Sequence, residues 1–324
     1  MAKNISNRIY RVGIIFLIFS TSCKEKPINL STSSKEIFSV SDKSISTFNK
    51  GGLQLSEIKK KEYKRIVLLA NPFFVYFKAL DAQYNVVGMF NKSRVRNVPR
   101  HIESVGEGAQ IDLERIIHLD SDLIICNSYQ LEELQSLNVP ILACDEYLES
   151  NPIGRLELIE MIAHLTKCHL KANELIEKRL SQYQNYQSLK TFILKLDNFG
   201  NGWYQPGCET YISKVIEMAG AQPVCIEKSE KSEKIAHETA LFELSKNNYF
   251  LFFDWGDRKK GWKRRFKNSF KLDSNPKKII YCNTTLTNYF EESALNSHLL
   301  INDLNTVLKT EKKGRFFEIQ TLDN

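Results

Sequence analysis

The chain has 324 residues, 42% of them hydrophobic and 26% charged, with 14 Gly and 8 Pro. That length and apolar content exclude a disordered or collagen-like chain and suffice for two domains, each with a core of its own. The formal charge of +7 falls to +4 when Lys3, Arg8 and Arg11 are removed with the leader described next, too small an excess to call for a nucleic-acid partner.

Lys3, Arg8 and Arg11 precede the uncharged run Val12-Gly13-Ile14-Ile15-Phe16-Leu17-Ile18-Phe19, the small residues Ser20-Thr21-Ser22, and Cys23. A membrane span needs about 20 apolar residues, so 1–22 reads as a signal peptide and Cys23 as the lipidated first residue of an exported protein. Residues 23–46, rich in Ser, Lys and Thr, read as a flexible tether between the lipid and the folded body. The location implied is the cell envelope, on the periplasmic side of a membrane.

The fold is expected to occupy residues 47–151 first. Arg65-Ile66-Val67-Leu68-Leu69-Ala70, Val86-Val87-Gly88-Met89-Phe90, Asp122-Leu123-Ile124-Ile125-Cys126 and Pro140-Ile141-Leu142-Ala143-Cys144 read as buried strands, with helical spacing between them. This alternation predicts a mostly parallel sheet with helices on its faces. Residues 152–189 contain no Gly except Gly154 and no Pro after Pro152, and their apolar spacing predicts one helix of about 35 residues, roughly 50 Å long, acting as a rigid strut. From 190 to 324 the alternation resumes with Phe192–Leu196, Tyr249–Phe253 and Lys278–Cys282 as strands. The fold class is therefore α/β: two Rossmann-like lobes joined by a single long helix.

In open α/β sheets ligands collect beyond the carboxyl ends of the strands, and those ends carry amides, arginines and aromatics here, as in Asn127-Ser128-Tyr129 and Asp254-Trp255-Gly256-Asp257-Arg258. Such a mixture suits a large ligand with a polar rim. Cys126, Cys144, Cys168, Cys208, Cys225 and Cys282 form no C-x-x-C pair and read chiefly as small buried hydrophobes, with Cys208 and Cys225 the candidate pair for a disulfide in an oxidising compartment. His164 and Cys168, four apart, read as a buried helix face rather than a metal site, and the basic stretch Lys259–Arg265 as a solvated helix start. No nucleophile elbow, phosphate loop or dinucleotide fingerprint is present, which favours a binding module over an enzyme and implies no cofactor.

Several longer motifs carry a resemblance. They are Ile102-Glu103-Ser104-Val105-Gly106, Leu137-Asn138-Val139-Pro140-Ile141, Glu146-Tyr147-Leu148-Glu149-Ser150-Asn151-Pro152-Ile153-Gly154-Arg155, Gly202-Trp203-Tyr204-Gln205-Pro206-Gly207-Cys208 and Glu217-Met218-Ala219-Gly220-Ala221. Over roughly residues 46–320 the sequence resembles substrate-binding lipoproteins of ABC importers for iron complexes and vitamin B12, particularly a branch found in Bacteroidetes. The resemblance implies a monomer whose stiff lobes hold a metal chelate between them, a ferric siderophore first, with cobalamin or haem as alternatives. It implies docking to an inner-membrane ABC permease through Glu114 and Glu238. On this reading the chelate is expected to contact Arg94, Arg96, Trp203, Tyr204, Trp255 and Arg258, with axial ligation by Tyr129 or Tyr204 in the haem alternative. A surface-attached binding lipoprotein without transport is the other use of the same fold. Three positions depart from the family pattern: Cys208 replaces a glycine, Phe290 a tryptophan, and Ser297-His298 a Pro-Asp pair.

Overall fold

The computed structural model describes residues 37–199, 202–256, 259–270 and 278–322. The leader, Cys23 and Arg258 lie outside the described residues. Among those described, no helix is long and apolar enough to cross a membrane.

The folded body starts earlier than the composition implies. Strands β1 (Phe38–Val40), β2 (Ser44–Phe48) and β3 (Gln54–Lys59) form an antiparallel meander. Residues 37–46 are therefore not tether: Ile37, Phe38 and Ile45 are buried. The meander lies beside β10 (Ile141–Ala143), the edge strand of the first-lobe sheet. There the Thr47 hydroxyl donates to the Ala143 carbonyl (2.5 Å) and the Ser56 hydroxyl accepts from the Ala143 N–H (3.0 Å). Side chains thus satisfy an edge that a further strand could otherwise extend.

In the first lobe, β4 (Ile66–Leu68) is followed by α1 (Phe74–Ala79), β5 (Val86–Met89), β6 (Glu103–Ser104), the small hairpin of β7 (Gly106–Glu107) and β8 (Gln110–Ile111), α2 (Leu113–His118), β9 (Leu123–Cys126) and α3 (Leu131–Leu134). The sheet order is β10-β9-β4-β5-β6, all parallel. Strands covered on both faces read as continuous apolar runs, and every residue of β4 and β9 is buried.

The strut is shorter than expected and broken in two. Helix α4 (Pro152–Thr166) ends at Lys167, whose φ of 57° is left-handed, and α5 (His169–Leu180) runs from there and packs against α4. Its 15 residues make α4 about 22 Å long. Only Glu157, Glu160 and His164 of α4 escape full burial. The helix is a shared core element: one hydrophobic cluster joins Phe73, Phe74 and Phe77 of the first lobe to Ile216, Leu295 and Leu304 of the second through Ile159 and Ile162.

The second lobe continues with β11 (Phe192–Lys195), β12 (Asp197–Phe199), β13 (Gly202–Pro206), α6 (Tyr211–Met218), β14 (Gln222–Val224), β15 (Ser232–Ile235), α7 (His237–Lys246), β16 (Tyr249–Asp254), α8 (Trp262–Phe270), β17 (Lys278–Asn283), α9 (Tyr289–Leu295), α10 (Ser297–Thr310) and β18 (Glu318–Gln320). Its main sheet has the order β14-β11-β16-β17-β18, parallel except for the antiparallel edge strand β18. The described residues thus form two α/β lobes with mostly parallel sheets, matching the expected fold class except for the single long helix.

The motif that opens α4 is a joint between the lobes. Asn151 caps the helix by accepting from the Ile153 N–H (2.9 Å), and Pro152 needs no partner at the first turn. The Arg155 guanidinium turns back to the carbonyls of Glu149 (2.9 Å) and Tyr147 (3.0 Å) and lies 3.8 Å from the centre of the Tyr211 ring. Glu146 stands 4.0 Å from it; burial pushes the Glu146 carboxyl up, with Arg155 pulling the other way. Ser297 and His298 belong to the same joint. The Ser297 hydroxyl donates to the Pro152 carbonyl (3.0 Å) and meets the Tyr183 hydroxyl (2.6 Å), while His298 is buried against Tyr183. Both side chains therefore help to tie the lobes together.

Candidate functional site

The lobes meet at the carboxyl ends of their central strands. Asn71 follows β4 and Asn288 follows β17, and both line a cavity of about 90 Å³ together with Phe74, Lys78, Arg96 and Glu291. That volume holds about three waters, far below the several hundred Å³ of a small-molecule pocket. A large ligand would therefore sit over the outer parts of the strand ends. The Oδ1 of Asn71 is buried without a hydrogen-bond partner.

Those outer parts carry aromatic rings on both lobes. Tyr129 follows β9 and Tyr147 follows β10, at 73% and 51% exposure. On the second lobe Trp255, directly after β16, is 63% exposed and stacks on Phe290 with ring centres 4.8 Å apart. Exposed large apolar groups gathered at strand ends mark a binding surface more than a packing accident.

A buried aspartate fixes each aromatic loop. In the first lobe Asp145 accepts from the Ser128 N–H (2.8 Å) and hydroxyl (2.6 Å), pinning the turn that displays Tyr129. In the second, Asp254 accepts from Arg265 through both oxygens (2.7 and 2.6 Å), from the Tyr281 hydroxyl (2.7 Å) and from the Gly256 N–H (3.1 Å). Burial alone would raise the Asp254 carboxyl, but the hydrogen bonds from Arg265, Tyr281 and Gly256 outweigh it and hold it low. A Cβ on Gly256 would collide with the Arg265 guanidinium, so any other residue here displaces the arginine that pairs with Asp254.

The expected site residues divide. Arg94 and Arg96 are exposed on the turn after β5, and Arg96 reaches the inter-lobe cavity. Asn91, at φ 49°, anchors this turn by accepting from the Gly108 N–H (2.6 Å). Trp255 and Tyr129 lie at the aromatic rim, and Tyr204 is half-buried on β13. Trp203 does not face the cleft. It is 6% exposed within the second-lobe core, and its indole N–H donates to His237 Nδ1 (2.9 Å) at the start of α7. On a strand, neighbouring side chains point to opposite faces, so Trp203 and Tyr204 were never both available to one surface.

Tyr147, Phe290, Asn71 and Asn288 were not among the expected ligand contacts, although Tyr147 lies in the motif that opens the strut and Phe290 stands out as a departure from the family pattern. Their signal is position: each follows a strand or opens the helix after one. Glu114 and Glu238 are exposed, each in the first turn of a helix and one on each lobe. An open acidic groove lined by Glu107, Asp112, Glu114 and Glu133 runs beside the first.

The remaining candidates are structural. Cys208 and Cys225 form a disulfide. The Cys168 thiol turns to the Thr166 carbonyl and His164 packs against His169, ring centres 4.4 Å apart. No three His, Cys, Asp or Glu side chains gather as a metal site among the described residues. The basic stretch is only partly solvated: Trp262 is buried against Phe252 and Tyr281, and Arg265 serves Asp254.

Residues 66–269 match the periplasmic binding protein family. No curated protein sequence matches the chain. Among solved structures the chain is similar to the periplasmic haem-binding protein HutB of Vibrio cholerae (19% identity, TM-score 0.59, covering 75% of this chain and 98% of that one). It is also similar to the petrobactin-binding protein YclQ of Bacillus subtilis (15%, 0.60, 83% and 100%) and the vitamin B12-binding protein BtuF of Vibrio cholerae (16%, 0.54, 76% and 98%). At these identities the structural likeness establishes the fold. With the sequence match spanning more than half its length, the chain belongs to the periplasmic binding protein family, and is a solute-binding protein of the extracytoplasmic space rather than an enzyme.

Proposed function

We propose that this protein captures a metal chelate, a ferric siderophore foremost, between the aromatic rims of its two lobes and delivers it to an ABC permease. The observation that carries this is the presence of exposed Tyr129 and Tyr147 after strands of one lobe, and on the other of exposed Trp255 after β16 with Phe290 of α9 stacked on it. Flat aromatic faces cover the apolar surface of a chelate, and Arg94 and Arg96, with Arg258, neutralise its anionic donor groups. Solved structures of the same fold include the petrobactin-binding, haem-binding and B12-binding proteins named above, in keeping with a chelate as cargo.

Glu114 and Glu238 dock the lobes to permease arginines, one contact per lobe fixing the orientation, and Cys23 carries the lipid that holds the protein at the membrane as a monomer. Haem is the second reading, favoured by the exposed Tyr129 hydroxyl as an axial ligand. Calorimetric titration with ferric siderophores, cobalamin and haem tests the cargo: micromolar or tighter binding of one member is expected, and failure of all three classes overturns the proposal. Haem held by Tyr129 gives a Soret shift that Tyr129→Phe removes.

A further inference from the structure

A second cavity lies wholly within the second lobe. It has about 240 Å³, sits beyond the carboxyl end of β17, and is lined by Lys259, Lys313 and Arg315 together with Tyr281, Asn283 and Glu318. None of its lining belongs to the first lobe.

The loop that forms one wall is built to be rigid. The Asp303 carboxylate on α10 accepts from the backbone N–H groups of Arg315 (2.7 Å), Phe316 (2.9 Å) and Phe317 (3.0 Å). The Gly314 N–H closes the turn on the Phe317 carbonyl (2.8 Å), and a Cβ at Gly314 would collide with the Asp303 carboxylate. Phe316 and Phe317 are buried beneath it. Lys313 and Arg315 are therefore presented on a fixed backbone, which lowers the ordering cost of binding.

The lining carries three cations and one carboxylate, a formal charge of +2. Glu318 is already paired with Lys259 (2.5 Å). Arg315 is paired with Glu292 (2.9 Å) and lies over the Phe316 ring (4.8 Å), so Lys313 is the lining cation with no ion pair among the described residues. The neutral donors face elsewhere: Asn283 Nδ2 donates to Asp254 and Gly256, and the Tyr281 hydroxyl to Asp254. Selectivity in this cavity is thus set by cationic N–H groups, which bond oxyanions strongly. Its volume equals about eight waters, enough for a small polyanion and too small for an intact chelate.

We propose that this cavity is an anion site, taking a small oxyanion with at least two negative charges, phosphate- or carboxylate-based. The site goes beyond the cargo reading and does not depend on it. The test is calorimetry on the purified mature chain with pyrophosphate and, separately, with citrate; which of them binds tells the phosphate from the carboxylate class. One-to-one binding of at least one is expected, weakened at least tenfold by Lys313→Met alone and further by Lys313→Met with Arg315→Met, and unchanged by Arg96→Met in the inter-lobe cavity. Lys313 is exposed, so its replacement leaves the fold intact. No binding of either anion at millimolar concentration, binding that survives the double variant, or binding lost in Arg96→Met would each overturn the assignment, the last by moving the anion between the lobes.

Discussion

Asp145 in the first lobe and Asp254 in the second occupy the same place, a strand carboxyl end, and are 5% and 2% exposed. Asp145 holds its aromatic loop through a neutral amide and a hydroxyl, whereas Asp254 holds its own through a bidentate guanidinium, a phenol and an amide. Both aspartates accept as carboxylates, but only Asp254 takes the two parallel bonds of a guanidinium, the geometry that adds most strength and directional specificity. The second-lobe aromatic loop is consequently tied down by more bonds, one pair of them ionic on both sides, than the first-lobe loop.

Breaking the second-lobe anchor is expected to have the largest effect. Asp254→Ala leaves Arg265, Tyr281 and Asn283 facing an empty acceptor, and removal of one partner of a buried pair costs about 3–4 kcal/mol. Urea unfolding followed by circular dichroism measures it; a loss below about 1 kcal/mol would erase the contrast between the lobes. Next is the disulfide, also confined to the second lobe, whose cysteines are 17 residues apart. Replacing both cysteines by serine is expected to cost about 3 kcal/mol by freeing that loop in the unfolded chain, read in the same experiment.

Acidification acts on the layer the lobes share. Burial, with His169 and Lys60, lowers His164 to about 4, and burial, with Arg179, lowers His298 to about 4. Folded values below the ordinary imidazole value near 6.5 mean that this stability is present above pH 6.5 and is lost as pH falls toward 4. Thermal melting is expected to show the melting temperature falling from pH 7 to 4.5, and His298→Gln flattens the profile. Smallest is Asp145→Ala, which removes two hydrogen bonds from neutral donors to a carboxylate, at about 1–3 kcal/mol. A cost equal to that of Asp254→Ala would make the two anchors equivalent.

The lobes themselves were legible because parallel strands buried on both faces write uninterrupted apolar runs, as in Leu123-Ile124-Ile125-Cys126. The break in the strut was not, because Thr166-Lys167-Cys168 contains no Gly or Pro: Lys167 adopts a left-handed conformation for which its side chain gives no sign. The meander was hidden for a related reason. Its strands alternate single apolar residues such as Ile45 with Ser and Thr, and two of those hydroxyls act as edge bonds rather than solvent-facing groups. Within the site, strand ends pointed to the right loops, but Trp203 shows the limit. A tryptophan beside a glycine reads equally well as a ligand platform or as core, and only the face of β13 decides.

The most direct test of the cleft is tryptophan fluorescence of the mature chain during titration with the bound chelate. Trp203 and Trp262 are each 6% exposed and Trp255 is 63% exposed. Quenching on binding should therefore vanish in Trp255→Phe while calorimetry still detects the chelate. Quenching that persists in Trp255→Phe would place the ligand away from the aromatic rim and contradict the account.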